Sequence, residues 1–109
     1  MSDRILRVKE QLKQLAALFI EAEGNRTSLI TVTSTDVTPD LKRATIFVTV
    51  LPDDKEKDAL DFLKRKRSEL RQYAKSRLSM KAIPFFEIEI DKGEKNRQHI
   101  DSLLREDLK

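Results

Sequence analysis

Apolar residues recur at every third or fourth position at the start of the chain. Ile5, Val8, Leu12, Leu15, Ala16 and Phe19 fall on one stripe. That period predicts an amphipathic helix, which Ser2 or Asp3 can cap and Gly24-Asn25 can end. The period then shortens to two. Leu29 to Val37 is rich in β-branched side chains, which suit a pleated, half-buried surface. From Ala44 to Leu51, Ala44, Ile46, Val48 and Val50 alternate with Thr45, Phe47, Thr49 and Leu51, so a strand sends the two sets to opposite faces. Thr38-Pro39-Asp40 lies between the two runs and is a turn signal, because proline presets one dihedral and aspartate bonds to nearby backbone. An antiparallel hairpin with a loop of about five residues is the simplest pairing.

A helical period returns after Pro52. Asp53 can act as N-cap with Glu56 three residues on, a capping box whose acids also suit a helix N-terminus. Ala59, Leu63, Leu70 and Ala74 share one face, flanked by Phe62 and Tyr73. Pro84 closes the helical region, and Phe85 to Ile90 alternates as a third strand. Phe86, Ile88 and Ile90 face the core, while Phe85, Glu87 and Glu89 face away. Ile100, Leu103, Leu104 and Leu108 predict a C-terminal helix over about residues 96–108. The order α-β-β-α-β-α predicts an α+β fold, a three-stranded sheet with helices packed on one face, since that buries every stripe. Ile5, Leu12, Leu15, Phe19, Ile46, Val48, Leu63, Leu70, Phe86 and Ile88 are the expected core.

The pattern slips once. On a continuous helix Lys66 projects between Phe62 and Leu70, into the apolar face, and Arg77 does the same near the end. An unpaired buried lysine is very costly. Either its stem snorkels or the helix breaks between Arg65 and Glu69, with Ser68 as a second N-cap.

Composition narrows the class. At 109 residues with 39% hydrophobic and 38% charged positions, the chain suits one domain with one modest core. No apolar run approaches the length of a bilayer span. Asp3 and Glu10 within the first helical pattern suit neither a signal nor a transit peptide. The absence of cysteine removes any disulfide framework or thiolate metal site and fits a cytoplasmic protein. The net charge is +3, but Lys64 to Lys81 alone holds eight cations against Glu69, so the rest of the chain is mildly acidic. Such asymmetry points to a polyanionic partner.

The cations are also ordered. Lys64, Arg67, Arg71 and Lys75 lie within about 80° on a helical wheel, a stripe beside the buried face. A solvated face near a helix C-terminus accounts for Lys75, Arg77 and Lys81, but not for Lys64-Arg65-Lys66-Arg67 in mid-helix. Phosphate neutralisation with counterion release accounts for all of them, and Arg65, Arg67 and Arg71 could add forked hydrogen bonds. Tyr73 and Phe85 are candidates for base stacking, although a tyrosine in such a position is more often at the edge of a core. Glu87, Glu89 and Asp91 share a strand face. A carboxylate row can bind Mg²⁺, but more often it protects an edge strand from aggregation. His99 sits in a polar segment and reads as a surface residue. Neither a glycine-rich phosphate loop nor a nucleophile with its base can be assembled from these residues.

Three segments resemble one known family: Asp36-Val-Thr-Pro-Asp-Leu41, Ala44-Thr-Ile-Phe-Val48 and Ile83-Pro84, in the right order and at the right separations. They resemble bacterial ribosome-binding factor A over roughly Arg7 to Asp91. The resemblance implies a type II KH-like fold in which a helix-kink-helix replaces the glycine-rich RNA clamp. It also implies binding to 16S rRNA in the immature 30S subunit during late maturation, and a role in growth in the cold. The family's kink carries alanine, a variable residue and glycine. Counting back from Ile83-Pro84 puts these on Lys66, Arg67 and Ser68, so the motif departs here while the surrounding basic stripe is kept.

The expectation is therefore a single KH-like RNA-binding domain over residues 1–109 with its core at about 3–91. It would be non-enzymatic, cytoplasmic and a monomer when free, with no cofactor, metal, membrane or small-molecule substrate. The RNA-binding residues expected are Lys64, Arg65, Lys66, Arg67, Ser68, Arg71, Lys75, Arg77 and Lys81. Two other classes fit the residues: an adaptor docking its basic helix on an acidic protein, and a metal-dependent nuclease using Glu87, Glu89 and Asp91.

Overall fold

In the computed structural model, the described residues are 3–23, 28–78, 80 and 82–97. The elements are helix α1 (Asp3–Glu23), strands β1 (Leu29–Val37) and β2 (Arg43–Leu51), helices α2 (Glu56–Arg65) and α3 (Arg67–Arg77), and strand β3 (Phe85–Ile90). The sheet has the order β1-β2-β3. β1 and β2 form the antiparallel hairpin, joined by a loop over 38–42. β3 runs parallel to β2, which requires a long crossover, and α2 with α3 supply it. The expected α+β fold with helices on one sheet face is the one observed.

The core lies between the helices and that face. Val8, Leu12, Leu15, Ala16, Phe19 and Ile20 of α1 are buried in one cluster with Ile46, Val48, Val50, Phe86 and Ile88 of the sheet and Leu63 and Leu70 of the crossover. Nine of the ten expected core residues are in it. Ile5 is the correction: it lies one turn nearer the helix start and is only half-buried.

A bulge in β1 explains a pairing that simple alternation misses. Val32 pairs with Val48, but Ser34 and not Thr33 pairs with Phe47, so Thr33 is the extra residue. An extra residue reverses which face the following side chains take. Ile30 and Val32 face the core before the bulge, and Thr35 and Val37 face it afterwards. Thr35 is buried there, and its hydroxyl donates to the Lys9 carbonyl at 2.7 Å, which fastens α1 to β1.

The crossover breaks at Lys66, inside the expected interval. Lys66 has φ −92° and ψ 3° and separates α2 from α3. Its N–H is shared between the Phe62 carbonyl at 3.2 Å and the Leu63 carbonyl at 3.1 Å, a three-centre arrangement common at helix ends. Ser68, which stands where the family's glycine would, is not among the described residues with positive φ, so an L-residue takes its conformation and no glycine is required there. Buried Ala59, Leu63, Leu70 and Ala74 would still lie within about 60° on one continuous wheel. The break therefore preserves the phase of the apolar face.

Two capping expectations fail. A 3-10 turn at Asp53–Lys55 precedes α2, no side chain caps either start, and Glu56 pairs with Lys95 at 2.9 Å instead of closing a box. Ser68 is not the N-cap of α3. Lys66 holds that position and Ser68 is exposed in the first turn. Residues 92–97 are helical, earlier than expected, because Asp91 caps them by accepting from the Glu94 N–H at 3.0 Å. The apolar positions Ile100 to Leu108, like Ser2 and Gly24-Asn25, lie outside the described residues.

Candidate nucleic-acid interface

α2 and α3 present the basic stripe because the flank beside it is anchored by Ala59, Leu63, Leu70 and Ala74. Lys64, Arg65, Arg71 and Lys75 are exposed, and Arg67 is half-buried. Ion pairs among the described residues hold Lys66 but not Lys64, Arg65, Arg67, Arg71 or Lys75. Arg67 donates its Nε to the Lys64 carbonyl at 3.2 Å, and its guanidinium lies 5.5 Å from the centre of the Phe85 ring. Arg71 donates to the Ile83 carbonyl at 3.1 Å. A guanidinium has five N–H donors, so both arginines keep donors for another acceptor.

Lys66 is differently engaged. Its ammonium is 3.4 Å from Glu69 and 3.8 Å from Glu23, and lies 5.8 Å from the centre of the Phe62 ring. The stem thus covers apolar surface while the charge leaves the core. Arg77 is exposed and stacks on Tyr73 at 3.7 Å. Tyr73 in turn meets Phe19 edge-to-face at 5.5 Å, the core-edge role. Ser68 is exposed beside the break. Lys81 and His99 lie outside the described residues.

Sequence reading missed cations from other elements. An open groove of about 850 Å³ is lined by Arg4 of α1, Asp40, Leu41 and Lys42 of the β1–β2 loop, Arg71 of α3, Met80, Ala82, Ile83 and Phe85. Arg4 also lines a neighbouring depression with Arg7 and Arg77. Arg4 and Arg7 lie near Asp3 and Glu10 and Lys42 is followed only by Arg43, so none lies in a charge run as long as that of Lys64 to Arg67. By contrast, the groove between α1 and β1 around Ala17, Ile20, Glu21 and Leu29 is lined by no cation among the described residues.

The loop that presents Lys42 is tightly built. The Thr38 hydroxyl and the Lys42 N–H both donate to Asp40 Oδ1, at 2.6 and 3.0 Å. These bonds, the hydroxyl's first, hold the Asp40 carboxyl below its ordinary value. Leu41 has φ 61°, a left-handed conformation uncommon for leucine. Its N–H donates to the Thr38 carbonyl at 2.8 Å, and the Phe85 N–H to the Lys42 carbonyl at 2.9 Å. The loop is thus fastened to β3.

In the row of carboxylates, Glu87 and Asp91 are engaged separately. Glu87 pairs with Arg43 across the strands at 3.6 Å. Asp91 accepts from the Thr33 hydroxyl at 2.6 Å and from the Glu94 N–H. Among the described residues no group of three or more acidic or histidine side chains is arranged to hold a metal ion. No helix among them is long and apolar enough to cross a membrane.

A family model described as ribosome-binding factor A matches residues 4–104. Ribosome-binding factor A of Clostridium acetobutylicum is 31% identical over 102 residues, spanning 90% of this chain and 84% of that protein. Its counterpart in Desulfitobacterium hafniense is 35% identical over 102 residues, spanning 91% and 82%. The crystal structure of ribosome-binding factor A from Thermus thermophilus superposes with a TM-score of 0.70 at 25% identity, over 77% of this chain and 92% of that one. Coordinates of the Thermus thermophilus factor fitted into a cryo-electron microscopy map of a 30S complex match with a TM-score of 0.65 at 26% identity, over 72% and 86%.

Proposed function

This chain belongs to the ribosome-binding factor A family, and we propose from that premise that it is a non-enzymatic maturation factor of the 30S subunit. It acts in the cytoplasm and binds 16S rRNA of the immature subunit through the basic face of α2 and α3. The observation that carries this interface is the row Lys64, Arg67, Arg71 and Lys75, which no carboxylate among the described residues neutralises. Cations left unpaired on one rigid face neutralise phosphates and release their counterions, which supplies affinity with little sequence information. Arg65 and Arg77 extend the row on its flanks. Lys66 and Ser68 contribute through the bend that aims it.

The test replaces Lys64, Arg67, Arg71 and Lys75 together by glutamine. The variant should stay folded, because none of the four is in the buried cluster. Its affinity for small-subunit rRNA should fall. The slope of log affinity against log salt should flatten by about three to four units, taking roughly 0.7–0.9 per lost phosphate contact. Co-sedimentation with immature subunits should weaken in parallel. A folded variant with unchanged affinity and slope would remove this face from the interface. Retained association of the wild type after RNase treatment would make the partner a protein.

A further inference from the structure

We propose that Phe85 is a stacking platform for one unpaired RNA base, within a groove whose rim of Arg4, Lys42 and Arg71 holds the adjoining phosphates. This rests on the RNA-binding reading above and deepens it, because it fixes the substrate as single-stranded at this position. Among the described residues, Phe85 is the only aromatic one among the exposed large apolar side chains, at 50% exposure. It opens edge strand β3, where Phe86 and Ile88 turn into the core, so its outward direction follows from the strand's alternation. The backbone beneath the ring is fixed, since the Phe85 N–H donates to the Lys42 carbonyl at 2.9 Å.

The surroundings select the ligand. The Arg67 guanidinium stands 5.5 Å from the ring centre, and Arg4, Lys42 and Arg71 line the adjoining groove. At about 850 Å³ the groove is large enough for a nucleotide. Asp40 is the acidic member of this lining, and its Oδ1 is already engaged by Thr38 and Lys42. An exposed ring within a cationic groove is the pairing that single strands use, with bases stacked and phosphates neutralised. A duplex keeps its bases stacked internally and offers only phosphates and sugars here. Tyr73 cannot serve in this way, because Phe19 and Arg77 already occupy its ring.

The test compares Phe85→Leu and Phe85→Trp with the wild type, using an unstructured RNA oligonucleotide and a blunt RNA duplex of equal length. Leucine keeps the apolar contact of the side chain but has no planar face, and thermal unfolding monitors the fold. Phe85→Leu should bind the single strand about 5- to 30-fold less tightly, the loss of one stacked base. Its salt slope should not change, and duplex affinity should stay within about twofold. The protein contains no tryptophan, so the indole of Phe85→Trp is a sole reporter. Its fluorescence should be quenched by the oligonucleotide and not by the duplex. Wild-type affinity in a folded Phe85→Leu, or an equal loss for both RNAs, would overturn the platform while leaving the basic interface standing. A wild-type protein that binds neither RNA would overturn both.

Discussion

At Asp91 the chain leaves β3, and one carboxylate links three parts of the molecule. It accepts from the Thr33 hydroxyl at the β1 bulge and from the Glu94 N–H that opens residues 92–97. These bonds, the Glu94 one first, hold its carboxyl below the ordinary value of 3.8. A pKa lowered by folding means that the ionised form stabilises the native state. That contribution is complete above about pH 5 and fades as pH falls below 3.8 toward the lowered folded value. Asp40 has the same sign. Asp91→Asn keeps an acceptor oxygen but cannot ionise. Its melting temperature should therefore drop less than that of the wild type between pH 5 and pH 3, by roughly the share this one carboxylate contributes. Circular dichroism melts across that range measure it, and identical pH profiles would show that Asp91 is not linked to folding. Lys66 illustrates the opposite economy. Its pairs with Glu23 and Glu69 are part-exposed, so each contributes at most about 1 kcal/mol. Their effect is to let a lysine stand in an apolar face without burying its charge.

The crossover between β2 and β3 behaves as one amphipathic element bent at one residue. Leu63 in α2 and Leu70 in α3 are each 2% exposed and lie on opposite sides of the break. Leu63→Ala and Leu70→Ala should each cost about 2–5 kcal/mol, as deletions from a packed core do. Urea unfolding of the two variants provides the comparison. A cost below roughly 0.5 kcal/mol for Leu70→Ala alone would mean that α3 does not share the core stability of α2. β1 is likewise one element with two phases, divided by the bulge at Thr33. The bulge keeps β1 on one core while its sequence changes register, whereas the break leaves the phase of the crossover's apolar face unchanged.

Across the whole molecule, the basic surface is assembled from elements far apart in the chain. Arg4 and Arg7 come from α1, Lys42 from the hairpin loop, and Arg71 and Arg77 from α3, and they line adjoining depressions. A triple Arg4→Gln, Arg7→Gln, Lys42→Gln variant leaves the helical stripe untouched. If RNA follows the continuous surface, its salt slope should flatten by about two to three units. An unchanged slope would confine the phosphate contacts to α2 and α3. The groove also places an exposed aromatic among these cations, a combination that neither the stripe nor the strand provides alone.

The local alphabet of this protein is legible from its sequence. Periods of three to four and of two place α1, the hairpin, the crossover and β3, because each must present a continuous apolar face to one core. Lys66 falling in such a face is enough to locate the break, since an unpaired buried charge is too costly to leave in place. The quoted family segments carry the KH-like fold. Three features belong to the tertiary structure. The bulge at Thr33 depends on which face β2 presents, and a tract of threonine and serine suits either face. The capping of α2 was decided by Lys95, which draws Glu56 into an ion pair and away from a local box. The cluster of Arg4, Arg7 and Lys42 beside α3 exists only after folding, because charge density along a chain records neighbours in sequence, whereas a phosphate meets neighbours in space.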